Sequence, residues 1–393
     1  MSVTVPRSQV RAAAAGVAVT FGLNGVAVAT WFARVPAARD ALGLTPGALG
    51  LLLLSMSVGA CLAMLTAGEV THRLRPKRTV SLSAVTVALG LAVAGVGIGA
   101  YPSPVVTAIG IFVLGYGSGL CDVAMNVEAA EVERALGKTV MPRFHAMWSL
   151  GTVAAAGLAS FAAWAVLPVT AHLAVVAVIV AGGTLVAART YRLAAEAEQG
   201  SSSGVMAAWR EPRTLLIGLL VLVLAFTEGT ANDWVAVAFI DGYEADPALG
   251  ALVFGVFVTT MTFGRIFGTI ALDRWGRVPA VVLSMLLAAS GVTLAVFAGS
   301  FGLAVAGVAV WGLGTALGFP VGMSAAADDP ERAAARVSVV AVIGYTAFLA
   351  GPPLVGLLGN QLGVLRALLV VPFLLLPALV LVPSLRQVKH GGS

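Results

Sequence analysis

Apolar runs of about 20 residues recur along almost the whole chain, and each is long enough to cross the hydrocarbon core of a bilayer as a helix. In lipid a backbone must satisfy its own hydrogen bonds, so continuous apolar runs of this length fold there as helices. Breaks marked by charge, Pro and Gly clusters divide the chain into twelve spans. They lie at approximately 12–36, 47–70, 79–100, 104–127, 144–167, 171–190, 213–239, 248–271, 279–298, 302–325, 335–357 and 364–384. Composition closes the alternatives. Only 10% of the 393 residues are charged, against roughly 25% in soluble domains, which leaves no room for a soluble domain of useful size. The fold class is therefore an all-α polytopic membrane protein. Its isoelectric point of 9.6 does not imply nucleic-acid binding, because the basic residues sit at span ends, where topology explains them. Cys61 and Cys121 both fall inside spans and read as small packing residues. The first apolar run extends to about Val35 and is followed by further spans, so it reads as an uncleaved helix rather than a signal peptide.

Lys and Arg placement sets the orientation. With the N-terminus inside, only Arg34, Arg39 and Arg366 fall at outside ends and Arg265 within a span; the remaining basic residues lie at cytoplasmic ends or loops. A multi-pass protein of the cell (inner) membrane with both termini cytoplasmic is expected. The longest loop contains Gly200-Ser201-Ser202-Ser203-Gly204, a flexible-linker composition. It divides the chain into an N-terminal six-helix bundle (1–190), a cytoplasmic linker (191–212) and a C-terminal six-helix bundle (213–393).

The halves resemble each other. Ala48-Leu49-Gly50 opens span 2 and Ala248-Leu249-Gly250 opens span 8. Asn24-Gly25 precedes Trp31 in span 1, and Glu228-Gly229 precedes Trp234 in span 7. Gly115, Gly117 and Asp122 in span 4 match Gly312, Gly314 and Phe319 in span 10, and Trp148 in span 5 matches Tyr345 in span 11. Two pseudo-symmetric bundles related in this way are a transporter design, which places a substrate site at the repeat interface near the midplane.

Two acids interrupt the apolar pattern. Asp122 follows Gly115-Tyr116-Gly117-Ser118-Gly119-Leu120-Cys121, and Glu228 lies within the run from Leu215 to Ile240. A carboxylate at membrane depth costs about 2.5–3.5 kcal/mol on insertion scales, so such residues point to a proton or substrate path. Low dielectric disfavours the charged carboxylate, and a group poised to load and release protons is what coupling to a gradient requires. Asn126 is one turn from Asp122 on the same face and offers a hydrogen bond to either protonation state or to a substrate hydroxyl. Glu228 and Asn232 form a second pair of this spacing, followed by Asp233 nearer the outer end, where it would face a water-filled mouth and Arg34. A structural hydrogen bond between helices is the alternative for each acid.

The loop after span 8, Asp273-Arg274-Trp275-Gly276-Arg277, resembles the cytoplasmic signature of the major facilitator superfamily. Thr269 occupies the slot of its first Gly, with Gly268 beside it. In the loop after span 2, Gly68, Arg73 and Lys77 fit, while His72 replaces the usual Asp and Arg75 the usual Gly. The Gly-rich run, acid and following Asn of span 4 are similar to the L-fucose–proton symporter branch (sugar permease-like). That resemblance implies proton coupling at Asp122 with Asn126 as its companion. The branch also carries an acid on span 1, where this chain has Phe32.

The resulting expectation is a secondary active transporter, not an enzyme. It would move a small polar, sugar-like solute by alternating access and proton symport. It needs no cofactor beyond the proton gradient. Its partners are the solute, protons and lipid, and it is expected to act as a monomer. Proton coupling is assigned to Asp122 and Glu228. Asn24, Trp31, Tyr116, Asn126, Trp148, Asn232, Trp311, Phe319 and Tyr345 are the candidate substrate-binding residues, because the superfamily's cavity-lining spans carry them and aromatic faces stack on sugar rings. Arg34, Asp233, Arg73, Arg265, Asp273, Arg274 and Arg277 are gating candidates. Arg265 is expected to brace the cytoplasmic network, and Arg34 either snorkels to the outer interface or takes part in a gate. Proton-driven efflux of a drug or metabolite uses the same buried acids and remains the alternative. A non-transporting membrane sensor has less support, since it would have no use for the acids.

Overall fold

Residues that start and stop helices flank each apolar run. The computed structural model describes residues 6–137, 140–191, 193, 205–329 and 332–386. Helix α1 (Arg7–Leu42) closes on Gly43, whose φ of 60° turns its N–H back onto the last carbonyls. Helix α2 (Pro46–Gly95) opens with Thr45 accepting from the Ala48 N–H and with Pro46 in its first turn. It runs on through a wider turn at Val96–Ala100. At Arg75 (φ 67°, ψ 154°), just before Pro76, the helical geometry breaks, because proline lacks a donor and clashes with the preceding turn. One hydrogen-bonded run thus holds the two segments expected at 47–70 and 79–100. Helix α3 (Pro104–Leu136) is capped by Ser103 and ends at Gly137. It is followed by α4 (Met141–Trp164), α5 (Val169–Ala188) and the short α6 (Val205–Ala208).

The second half comprises α7 (Pro212–Tyr243), α8 (Pro247–Trp275), α9 (Arg277–Phe297), α10 (Phe301–Thr315), α11 (Gly318–Ala326), α12 (Ala333–Leu362), α13 (Val364–Ala367) and α14 (Val370–Ala378), then a 3-10 turn at Leu379–Leu385. Among the described residues, eleven helices are long and apolar enough to cross a membrane; the break in α2 supplies the twelfth crossing. Tenth and twelfth spans are each built from more than one helical piece, α10 with α11 and α13 with α14 and the final turn. The expected linker motif Gly200–Gly204 lies outside the described residues, as do the terminal residues 1–5 and 387–393 on which the assignment of cytoplasmic termini bears.

The chain divides into two compact units, Met1–Glu198 with Asp246–Gly255, and Gln199–Ala245 with Val256–Ser393. The start of α8 therefore groups with the first unit, where Ser160 Oγ donates to the Ala248 carbonyl at 2.9 Å. Helices in lipid gain little from hydrophobic burial against one another, so close backbone approach through small residues carries the packing. The same approach is built twice. In the first unit a Cβ on Gly90 would fall 2.8 Å from the Gly110 carbonyl oxygen. In the second, a Cβ on Gly291 would fall 2.7 Å from that of Gly307. The correspondence extends to Gly115, which packs on the Met56 carbonyl, and Gly312, which packs on that of Phe257.

Candidate functional site

In the first unit the glycines of α3 let α2 pass close by and leave Asp122 one turn beyond them, half-buried. Asn126 Nδ2 donates to the Asp122 backbone carbonyl at 2.8 Å and to its Oδ1 at 3.3 Å. Among the described residues no cation pairs with Asp122. The helix geometry thus creates the pair expected from the four-residue spacing, and leaves the carboxyl group with one neutral neighbour. Glu128, six residues on, is buried and accepts from the Leu193 N–H at 2.9 Å.

The other candidates of this unit divide by exposure. Tyr116 is half-buried, with its hydroxyl 3.1 Å from Thr66 Oγ1. Trp148 is half-buried against the cluster that includes Val17, Phe21, Met125 and Phe144. Asn24 is buried with its Oδ1 unpartnered. Trp31 has no exposed surface, so it packs rather than facing open space, and its Nε1 has no partner. Arg34 does not snorkel. It is 4% exposed, and its Nη2 donates to the Leu167 carbonyl at 2.8 Å. Arg73 pairs with Glu69 one turn before it, both exposed.

In the second unit Glu228 is not a lone acid. Arg265 Nη2 reaches its Oε1 at 2.9 Å, with both side chains only partly exposed. Arg265, expected to brace the cytoplasmic network, is committed instead to this pair. Asn232 and Asp233 follow on α7, both half-buried, and Asp233 has no ion-pair or hydrogen-bond partner among the described residues. Trp311 has no exposed surface and lies edge-on to Phe257, with ring centroids 5.5 Å apart. Phe319, Tyr345 and Phe348 form a ladder with successive centroids 6.1 Å apart. The Phe348 ring also lies against Gly229, beside Glu228. Phe348 was not among the sequence candidates; its signal was its place one turn beyond Tyr345.

The cytoplasmic end of this unit differs from the expected latch. Asp273 and Arg274 are exposed and make no ion pair among the described residues. Arg277 bonds Asp328 at 2.6 Å and Ser324 at 3.0 Å instead. Asp328 also takes Arg213 at 2.9 Å, and Arg213 in turn donates to the backbone carbonyls of Ser384 and Arg386. Glu211 receives Arg336 at 2.6 Å and Arg332 at 3.1 Å. The Arg336 guanidinium holds the Glu211 carboxyl below the usual carboxylate range. Acids missed from the sequence, Glu211 and Asp328, thus tie together the start of α7, the turn into α9 and the segments on either side of residues 330–331, and through Arg213 the final 3-10 turn. A cleft of about 810 Å³ lies beside this network, lined by residues that include Asp273, Trp275, Arg277 and Arg386.

The model of the Major Facilitator Superfamily matches residues 217–392. The chain is 32% identical over 373 residues to the uncharacterised transporter y4wD of Sinorhizobium fredii, covering 95% of this chain and 98% of the relative. It is 30% identical over 342 residues to an uncharacterised MFS-type transporter of Yersinia pestis, covering 86% and 87%. Among solved structures, the nucleoside transporter NupG superposes with a TM-score of 0.76 at 14% identity, covering 95% of this chain and 99% of the other. A variant of the E. coli fucose:proton symporter FucP does so with a TM-score of 0.65 at 14% identity, covering 95% and 98%. With helices long and apolar enough to cross a membrane in both halves, and relatives of this identity and coverage, the chain belongs to the major facilitator superfamily and is a multi-pass membrane transporter.

Proposed function

We propose that this transporter couples the movement of a small polar solute to protons by alternating access, with Asp122 as the proton-carrying residue. The observation that carries the reading is a half-buried carboxyl group on a membrane-spanning helix whose only hydrogen-bond partner among the described residues is the neutral Asn126. Occluding an uncompensated charge is costly, so protonation of Asp122 eases the conformational change and deprotonation resets it. Glu228 is the second candidate. Its charge is balanced by Arg265 at 2.9 Å. Half-buried Phe319, Tyr345 and Phe348 offer ring faces to a cyclic solute. The fold neighbours named for a nucleoside and for fucose:proton symport support a polar, ring-bearing solute taken up with protons. On this reading the protein is a monomer of the cytoplasmic membrane with both termini inside.

The test is uptake into proteoliposomes of sugars, nucleosides, polyols and small organic acids under an imposed inward proton gradient. Accumulation of a solute with alkalinisation of the outside supports symport. If no solute enters, but preloaded compounds leave when the gradient is applied, the symport reading fails and proton-driven efflux replaces it.

A further inference from the structure

Positive charge collects without an acid at one place in the first unit. Arg34 is 4% exposed, its one hydrogen bond goes to the Leu167 carbonyl, and its Nε has no partner. Leu167 lies immediately before Pro168, which occupies the position before the first residue of α5. The guanidinium is therefore held at the N-terminus of a 20-residue helix, the end that carries the positive pole of the helix dipole. No side chain caps that terminus, so its first N–H groups lack intrahelical acceptors. His172, in the first turn of α5, is 8% exposed, and its Nδ1 is unpartnered. It lies within electrostatic reach of Arg34. A buried cation beside a helix N-terminus, with unpartnered polar atoms around it and no carboxylate paired with it among the described residues, is an arrangement that electrostatics disfavours unless an anion completes it.

We propose that Arg34, His172 and the N-terminal amides of α5 form a binding site for a compact monovalent anion, either the carboxylate of a solute or a halide ion. Arg34 supplies Nε–H and charge, His172 a donor in the tautomer that carries its proton on Nδ1, and α5 its free amides. The proposal goes beyond the proton-coupled reading, because anion binding is measurable without transport.

Purified full-length protein in detergent is titrated with sodium chloride and, separately, sodium acetate, at ionic strength held constant with sodium HEPES. Thermal unfolding and tryptophan fluorescence are followed; Trp31, three residues before Arg34, is a built-in reporter. The wild-type is expected to respond saturably to at least one of the two anions. Saturation by acetate at the lower concentration identifies a carboxylate site, and by chloride a halide site. Arg34→Gln is expected to lose the saturable response, and His172→Gln to weaken it. Arg34→Lys keeps the charge without the Nε donor, and its midpoint is expected to rise about tenfold, the scale of one charge-assisted hydrogen bond. It serves as the decisive variant if Arg34→Gln does not fold. An Arg34-independent response, an unchanged midpoint in Arg34→Lys, or no wild-type response to either anion overturns the proposal.

Discussion

Removing one partner of the Glu228–Arg265 pair is expected to be costlier than removing both. The two groups meet at 2.9 Å with side-chain exposures of 15% and 28%, and Arg265 Nε has no other partner. Breaking a fully buried pair costs about 3–5 kcal/mol, because the surviving charge is stranded. A solvent-exposed pair is worth at most about 1 kcal/mol. The partial exposure here places the expected cost of Glu228→Gln or Arg265→Gln alone at about 1–3 kcal/mol each. In the double variant no charge is stranded, so its cost should not exceed that of either single. The coupling energy from the double-mutant cycle is then at least the cost of one single variant, about 1–3 kcal/mol or more. The assay is reversible unfolding in mixed detergent micelles, followed by circular dichroism for wild-type, both singles and the double. Additivity to within about 0.5 kcal/mol would refute the claim that these groups form one energetic unit.

Gly90→Ala and Gly291→Ala are expected to destabilise by similar amounts, about 1–3 kcal/mol, since each methyl group would meet a backbone carbonyl of the partner helix. Gly302→Ala, with open space at the new methyl, should be near neutral in the same unfolding assay. Glu211 predicts an acid limit. Its carboxyl is held low by Arg336, so its contribution is present above the ordinary carboxylate range and is lost as pH falls through the depressed folded value. Thermal stability measured from pH 7 downward should therefore fall less steeply in Glu211→Gln than in wild-type, and parallel curves would contradict this.

Local and periodic features were legible in the sequence, and long-range pairings were not. The spans could be located because hydropathy and the charge, Pro and Gly clusters between runs are written locally; the caps Thr45 and Ser103 and the end of α3 at Gly137, ten residues past the expected span, emerged only in the structure. The repeat was visible because close helix approach demands glycine at fixed spacing, and Gly115 and Gly312 meet matching carbonyls. The Asp122–Asn126 pair needed only helical periodicity. For Arg34 the sequence left snorkelling or a gate open, because a long side chain at a span end can do either; its actual acceptor, Leu167, is 133 residues away. Arg265 and Glu228 are 37 residues apart, and no local pattern marks such a pair. The same holds for Asp328, whose two arginine partners come from the start of α7 and of α9. Trp31 and Trp311 matched a cavity-lining pattern, yet both are fully buried, because spacing fixes a helix face and not the size of the space beside it.

The central claim, that Asp122 carries the coupled proton, is tested most directly by comparing two readouts in Asp122→Asn proteoliposomes, using whichever solute the wild-type accumulates. Asn keeps the shape and a hydrogen-bond partner for Asn126 but cannot cycle a proton. The account predicts that solute exchange down or across equal concentrations persists while gradient-driven accumulation and the accompanying pH change are lost. Concentrative uptake with proton movement retained in Asp122→Asn would contradict it.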